Sequence, residues 1–242
     1  MEHYSGEELE TLAGTNCYQE WIAEQFYPYL HGRIMEIGAG IGTMAKWWLS
    51  SADELHLVEP AKNLFPALEK SFASCLNVSL HNGTLSKVLS DNPKLASNTF
   101  NAVIMINVLE HIEDDDGLLK VVNQMLVPGG YLLVFVPAMP AIYGSLDREF
   151  GHYRRYTKAG LAYCCKKAGY KIASIRYFDV LGVFPWWFIN RVLHRRTLDP
   201  AMAKAYDRFI VPMARSIEKV VVPPFGKNLV VVGLKNGTCS AE

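Results

Sequence analysis

The chain has 242 residues, 50% of them hydrophobic and 20% charged, with 24 basic residues balancing 24 acidic ones. This is the composition of a soluble globular protein, long enough for one large domain or one domain with an appended lobe. Zero net charge gives no global electrostatic pull toward nucleic acid, so any basic patch is local.

Residues 7–30 mix Leu12, Trp21, Ile22, Phe26 and Leu30 with charged positions, the pattern of amphipathic helices forming a cap over about 5–30. RIMEI at 33–37 is a short apolar run ended by glycines and reads as a buried strand. A helix follows at 42–50, a strand at 55–59 (LHLVE), a helix at 61–74 and a weak strand at 77–81. FNAVIMINV at 100–108 is continuously apolar, as a parallel strand buried on both faces must be. A helix at 115–126 closes on Pro128-Gly129-Gly130, and a strand follows at 131–138. A helix at 157–168 stops at Gly169, and strands follow at 170–178 and 228–235. Between these last two lies an insert, 181–226, rich in Trp, Phe, Pro and Arg. Strands alternating with helices predict a parallel α/β sheet with right-handed crossovers, in one domain carrying an inserted lobe.

The five cysteines form no paired framework and read as reduced thiols of a cytoplasmic protein. No His/Cys cluster has zinc spacing. MEHYSGEELE lacks the regions of a signal peptide, and the apolar runs are too short or too interrupted to span a bilayer.

MEIGAGIGTM at 35–44 carries the chemistry. Its glycine spacing is G-x-G-x-G, whereas the dinucleotide fingerprint is G-x-G-x-x-G. Glu36 precedes the first glycine and Glu59 ends the next strand. An acid at that strand end faces the ligand crevice, and a bidentate carboxylate suits a ribose diol. The pair points to an adenosine or nucleotide ligand.

EIGAGIG, VEP, HNGTL, FNAVIMINVLEHIED and LVPGGYLLVFVPA, in that order, resemble the class I S-adenosylmethionine-dependent methyltransferases over about residues 30–140. YSGEELE, YQEWI, EPAKNLFP, YGSLDREFGHYRRYT, FPWW and PPFGKNL extend the resemblance to a bacterial small-molecule group of that superfamily. The resemblance implies a Rossmann-like doubly wound sheet, mostly parallel with an antiparallel last strand, helices on both faces, and S-adenosylmethionine as cofactor with S-adenosylhomocysteine as product. It implies that Glu36 organises the pocket for the methionine amino group. Gly38, Ala39, Gly40 and Gly42 would line the methionine and ribose, Glu59 would bind the ribose hydroxyls, and Pro60 would lie beside the adenine. Gly83-Thr84 stands where the family carries a Gly-Asp pair for the adenine amino group, so a hydroxyl or main-chain contact must substitute. Asn107, Val108 and Leu109 would pass close to the sulfonium. The methyl group is already activated, so the protein supplies alignment, exclusion of water and, for a hydroxyl acceptor, a base.

On the acceptor side, VLEHIEDDD at 108–116 offers two readings: a divalent metal site made by its acids, Glu110 and Glu113 to Asp116, with His111 as base, or a helix start, which is preferred for the acids at 113–116 since acids favour the first turn. No histidine is spaced to complete a site with them, and no metal is expected. His111 is either a structural hydrogen-bonder or a base. The segment 143–157 follows the fifth strand and should overhang the crevice. Within it, His152 is the first candidate for a base, and Tyr143, Arg154, Arg155 and Tyr156 are candidates for acceptor binding. The alternative for this segment is a loop held by internal ion pairs, Asp147 to an arginine for example. The insert is either a helical lid or a peripheral membrane contact. These features predict a methyltransferase of small molecules such as a sugar, sugar phosphate or lipid-linked acceptor, methylating O or N, rather than of nucleic acid. A cofactor-binding sensor or scaffold is the rival reading, with a nucleotide-dependent oxidoreductase behind it; the glycine spacing and Glu36 count against the latter.

Overall fold

A computed structural model describes residues 13–237. The expected start of the cap, 5–12, and the YSGEELE segment lie outside the described residues. Seven strands form one sheet: β1 Arg33–Ile37, β2 Glu54–Glu59, β3 Val78–Asn82, β4 Phe100–Ile106, β5 Leu126–Pro137, β6 Tyr170–Phe178 and β7 Asn228–Lys235. Their order is β3-β2-β1-β4-β5-β7-β6. The first five are parallel, and β7 runs antiparallel to both β5 and β6. This is the mostly parallel, doubly wound α/β sheet the sequence predicts. The strand order reverses between β1 and β4, so a crevice opens at their carboxyl ends.

The central strands are apolar because both faces are covered. Met35, Ile37, Val103, Met105 and Val134 point to one layer, against Leu119, Val122, Met125 and Leu161. Ile34, Leu57, Ile104 and Phe135 point to the other, against Trp48, Leu68, Phe72 and Trp21. The two-residue period of side-chain direction divides each strand between the two cores. Glu36 is the one acid within β1, and it is buried at the crevice end.

Several boundaries differ from the sequence reading. The first crossover helix is shortened to Ala45–Trp48 because the left-handed backbone at Gly42 occupies its expected start. β5 begins at Leu126 and runs through Pro128-Gly129-Gly130, which reads as a helix closure in the sequence. A helix at Leu85–Asp91 went unread; its signal is Thr84, whose hydroxyl accepts from the Lys87 amide at 3.4 Å as an N-cap.

The insert leaves the sheet after Phe178 and returns at Asn228, and those two residues are cross-strand partners. It carries helices Val183–Trp187, Pro200–Ala205 and Val211–Val220. Asp207 accepts the Cys17 and Tyr18 amides at 3.2 and 2.8 Å, clamping the start of the helix Asn16–Glu24. Among the described residues, no helix is long and apolar enough to cross a membrane.

Candidate active site

The loop after β1 sits in conformations that side chains rarely adopt: φ is +75° at Gly38, +58° at Gly40 and +85° at Gly42. A Cβ on Gly38 would lie 2.5 Å from Val108 Cγ2, so this glycine lets the loop after β4 come close. A Cβ on Gly42 would lie 2.5 Å from Phe72 Cε2. Gly42 therefore serves close packing on the helix Phe65–Phe72 and lies off the cavity wall.

Glu59 ties the first two loops together. Its Oε2 accepts from the Gly40 amide and its Oε1 from the Ala61 amide, each at 2.7 Å. A carboxylate oxygen has two lone pairs, so each can take a second donor such as a hydroxyl. Burial raises the Glu59 pKa and these two amides oppose the rise. Glu36 is 2% exposed, and its Oε2 accepts from Trp48 Nε1 at 2.6 Å. Burial pushes its pKa up to about 8, against the Trp48 hydrogen bond and with the Glu59 charge adding to the rise. A cationic ligand group here would hold Glu36 ionised.

A cavity of about 330 Å³ starts at these residues, with Glu36, Gly38, Ala39, Gly40, Glu59 and Pro60 on its wall. Asn107, at φ +51°, and Val108 continue the wall past β4. Leu109 lies beneath it, fully buried. Gly83 and Thr84 are also off the wall: the Gly83 amide donates to the Glu59 carbonyl at 3.0 Å and Thr84 caps its helix.

The same cavity also holds Glu110, His111 and His152. The two imidazoles meet edge to face, with centroids 4.7 Å apart. His152 Nδ1 lies 3.1 Å from Asp147 Oδ1. Asp147 is fully buried and also accepts from Arg155 Nε at 2.7 Å, Asn190 Nδ2 at 2.7 Å and the Gly144 amide at 3.0 Å. Burial alone would raise its pKa. The His152 hydrogen bond, the Arg155 charge and the other donors outweigh that and keep it below the usual carboxylate value. Burial pushes the His111 pKa down to about 4, with His152 adding to the fall and a Gly151 backbone hydrogen bond opposing it. Burial pushes Glu110 up to about 8, against its own backbone amide and the Arg155 charge.

Arg155 reaches the wall, but its side chain is engaged: Nη1 donates to the Ala138 carbonyl at 2.8 Å, and the guanidinium sits 5.1 Å from the Trp186 ring. Tyr143, Arg154 and Tyr156 are not on the wall. The Tyr143 hydroxyl donates to the His152 carbonyl at 2.8 Å. Arg154 pairs with Asp115 at 2.9 Å and donates to the Glu113 carbonyl at 2.8 Å. The Tyr156 hydroxyl donates to Asp115 Oδ2 at 2.8 Å. These three brace the segment from outside, because the chain turns them toward the helix Asp115–Met125 and the loop's own backbone. The acids that open that helix have local duties too. Asp114 caps the Gly117 amide at 2.9 Å, Asp115 holds Arg154 and Tyr156, and Asp116 pairs with Lys167.

The cap and the insert, read from the sequence as a cap and a possible lid, form the roof, through residues the sequence did not single out: Tyr18, Gln19 and Ile22 from the first helix, Trp186 and Leu198 from the insert, and Lys227 and Asn228 where the chain enters β7. Lys227 pairs with Asp179 at 2.9 Å and lies 4.7, 5.4 and 5.8 Å from the Tyr18, Tyr206 and Trp186 rings. One signal was available: an antiparallel β7 starts where the parallel strands end, so its first residues must land at the crevice.

Comparison with known proteins agrees with this geometry. The sequence profile of a family described as "Methyltransferase domain" matches residues 15–175, more than half of the chain. The ribosomal RNA small subunit methyltransferase A of Pseudomonas fluorescens is 30% identical over 100 residues, which span 39% of this chain and 37% of that protein. The chain thus matches little more than a third of that relative's length. A solved S-adenosylmethionine-dependent methyltransferase from Mesorhizobium loti superposes with a TM-score of 0.59 at 16% identity, covering 90% of this chain and 98% of that one. One from Thermotoga maritima gives 0.59 at 18% identity, covering 95% and 94%. At such identities the structures speak for the fold alone. The family match, together with a glycine loop and a strand-end acid on one cavity, makes the chain a member of the methyltransferase domain family, with the fold of the S-adenosylmethionine-dependent methyltransferases.

Proposed function

We propose that this methyltransferase acts on a hydroxyl of a small-molecule acceptor and releases S-adenosylhomocysteine. One observation carries the reading: the glycine-loop residues and the Glu110–His111–His152 group line a single cavity of about 330 Å³. That volume lies within the range of small-ligand sites, ~300–1,000 Å³. In this reading Glu59 takes the ribose hydroxyls and Glu36 faces the methionine amino group. Gly38, Ala39 and Gly40 pack on the cofactor, Pro60 lies beside the adenine, and Asn107 and Val108 flank the sulfonium. The acceptor lies beside His152, which, oriented by Asp147, is placed to take its proton.

The acceptor's other features follow from the wall. Arg155 and Lys227 lie on it, but Asp147 and Asp179 already pair them, so neither argues for an acidic group on the acceptor. Phe150, Trp186 and Leu198 support an apolar portion. The exposed faces of Phe184, Trp187 and Phe188, close in sequence to Arg191, Arg195 and Arg196, support a lipid-linked member of that class presented at a membrane surface. RNA is the competing acceptor, since the matched part of the Pseudomonas relative belongs to a ribosomal RNA methyltransferase. Neutral net charge weighs against it.

The test is transfer of labelled methyl from S-adenosylmethionine into cell extract resolved into small-molecule, lipid, RNA and protein fractions. Label in the small-molecule or lipid fraction, stable to mild base as an ether is, is the expected result. Label confined to RNA or protein would overturn the proposal.

A further inference from the structure

Glu110, His111 and His152 do more than line the acceptor end. Among the described residues they are the one group in which three potential metal ligands, one atom from each, lie within 4.8 Å of one another. Two of them are adjacent in sequence, on the turn Leu109–His111 after β4, and the third arrives from 41 residues further on, which is why spacing alone does not show the group.

Three further observations point to a ligand there. Glu110 is fully buried, yet neither carboxyl oxygen has a hydrogen-bond donor from another described residue. Nearly all buried polar atoms are partnered, and a lone buried carboxylate is costly. His111 Nδ1 is also buried without a partner. His152 turns Nδ1 to the Asp147 carboxylate, which fixes the tautomer with its proton on Nδ1 and leaves the Nε2 lone pair for another group. A carboxylate behind an imidazole is the arrangement that orients a metal-bound histidine and raises its basicity. The neighbouring Arg155 charge would oppose a cation, but its Nε is bound to the same Asp147, which offsets it.

We propose that Glu110, His111 and His152 form a binding site for one divalent first-row transition ion, which activates the acceptor hydroxyl. Two imidazoles and one carboxylate suit zinc, manganese, iron or cobalt better than magnesium or calcium, which favour all-oxygen sites. Ligand atoms ~2.0–2.2 Å from an ion stand about 3–4 Å apart, so binding draws the groups in by about 1 Å. Three protein ligands leave positions open toward the cavity, where the acceptor oxygen can coordinate.

The role rests on the methyl-transfer reading. The bound alcohol, its pKa lowered by the ion, releases its proton to solvent water at the cavity mouth. The alkoxide lone pair then forms the O–C bond to the methyl carbon as the C–S bond breaks. The bonding pair stays on sulfur, and the products are a methyl ether and the neutral thioether. His152 is a ligand in this scheme, with the ion performing the deprotonation otherwise assigned to a base.

The experiment is cobalt(II) titration of the full chain followed by visible absorption, run beside calorimetry with S-adenosylhomocysteine. One cobalt per chain is expected, with d–d bands and no thiolate charge-transfer band. Glu110→Gln and His152→Gln, each checked for fold by circular dichroism, should weaken cobalt binding at least ~10–100-fold, the amount even outer-sphere partners are worth. Absence of saturable cobalt binding by a chain that binds S-adenosylhomocysteine would overturn the site and leave the cofactor reading intact. Undiminished binding in both variants would overturn it too. Cobalt bound at these ligands by a chain that ignores S-adenosylhomocysteine would support the site while removing the cofactor reading.

Discussion

Replacing Glu59 by Ala separates two duties of one carboxylate. In the ligand-free chain its oxygens satisfy the Gly40 and Ala61 amides, each at 2.7 Å, at a position only 5% exposed. Truncation leaves both donors without that partner, and a buried unsatisfied group costs about 1–3 kcal/mol. Water entering the vacated space offsets part of this, so a loss near the low end, about 2 kcal/mol in all, is expected. For a chain of this size that is a fall in Tm of roughly 4–8 °C. Separately, the variant loses the acceptor for the ribose hydroxyls. A hydrogen bond to a charged group is worth about 1.5–3 kcal/mol, which is roughly 10–150-fold in affinity for S-adenosylhomocysteine. Calorimetry measures the second effect and thermal melting without ligand the first. Melting at saturating ligand checks both, since a parent at 100 times its Kd gains about 2.7 kcal/mol and the variant gains less at that concentration. An affinity equal to the parent's in a variant shown to be folded would refute the ribose assignment. Loss of stability alone would make Glu59 a loop tie and nothing more.

Other perturbations probe neighbouring parts of the site. Glu36 has its pKa raised from 4.5 to about 8, so the folded state keeps a proton that the unfolded state has released across that window. Its contribution is complete below about 4.5 and declines as pH rises to about 8, with a slope of about 1.4 kcal/mol per unit; Glu36→Gln should flatten the Tm-against-pH curve there, and an unchanged curve would refute the shift. Gly42→Val should lower Tm by about 5–15 °C, through its +85° φ and the Phe72 contact at 2.5 Å, while leaving S-adenosylhomocysteine affinity within about threefold; a large loss of affinity in the folded variant would put Gly42 on the cofactor. His152→Ala should lower turnover by about 10²–10⁴ with little change in cofactor affinity. Arg154→Ala should leave the acceptor KM unchanged, because its guanidinium is held on Asp115 away from the cavity; a raised KM would return it to the acceptor site.

The parts of the fold that the sequence states plainly are those where one physical requirement dominates. β4 is apolar on both faces and reads as an apolar run, and β1 reads as a shorter one broken by Glu36. The glycine loop must turn through left-handed backbone, and it reads as glycines. The strand-end acid must follow the second run, and Glu59 does. The acceptor end obeys no such local rule. Arg154 and Arg155 are adjacent and chemically identical, yet one pairs outside with Asp115 and the other inside with Asp147, because consecutive side chains of an extended segment diverge. His111 and His152 meet only because the loop after β5 folds back over the loop after β4, with the Tyr153 amide bound to the Glu110 carbonyl at 2.8 Å. No spacing in the chain encodes that contact. Trp186 likewise meets Arg155 and Lys227, distant in sequence, and an aromatic stripe reads the same whether it faces a cavity or a core.

Asp147 joins the separately built parts. One buried carboxylate takes hydrogen bonds from His152 and Arg155 on its own segment, from the Gly144 amide before it, and from Asn190 of the insert. Asn190 in turn donates to the Ile142 carbonyl at 3.1 Å and accepts from the Leu146 amide at 2.7 Å. Trp186, one turn earlier in the insert, roofs the cavity. The insert therefore cannot move away from the acceptor without breaking a hydrogen bond to the carboxylate that orients His152. A buried charge that loses one of its donors is costly, so the network favours a single arrangement of roof and histidine together. Whatever fills the space beneath Trp186 is thereby coupled, through Asn190 and Asp147, to the direction in which His152 Nε2 points.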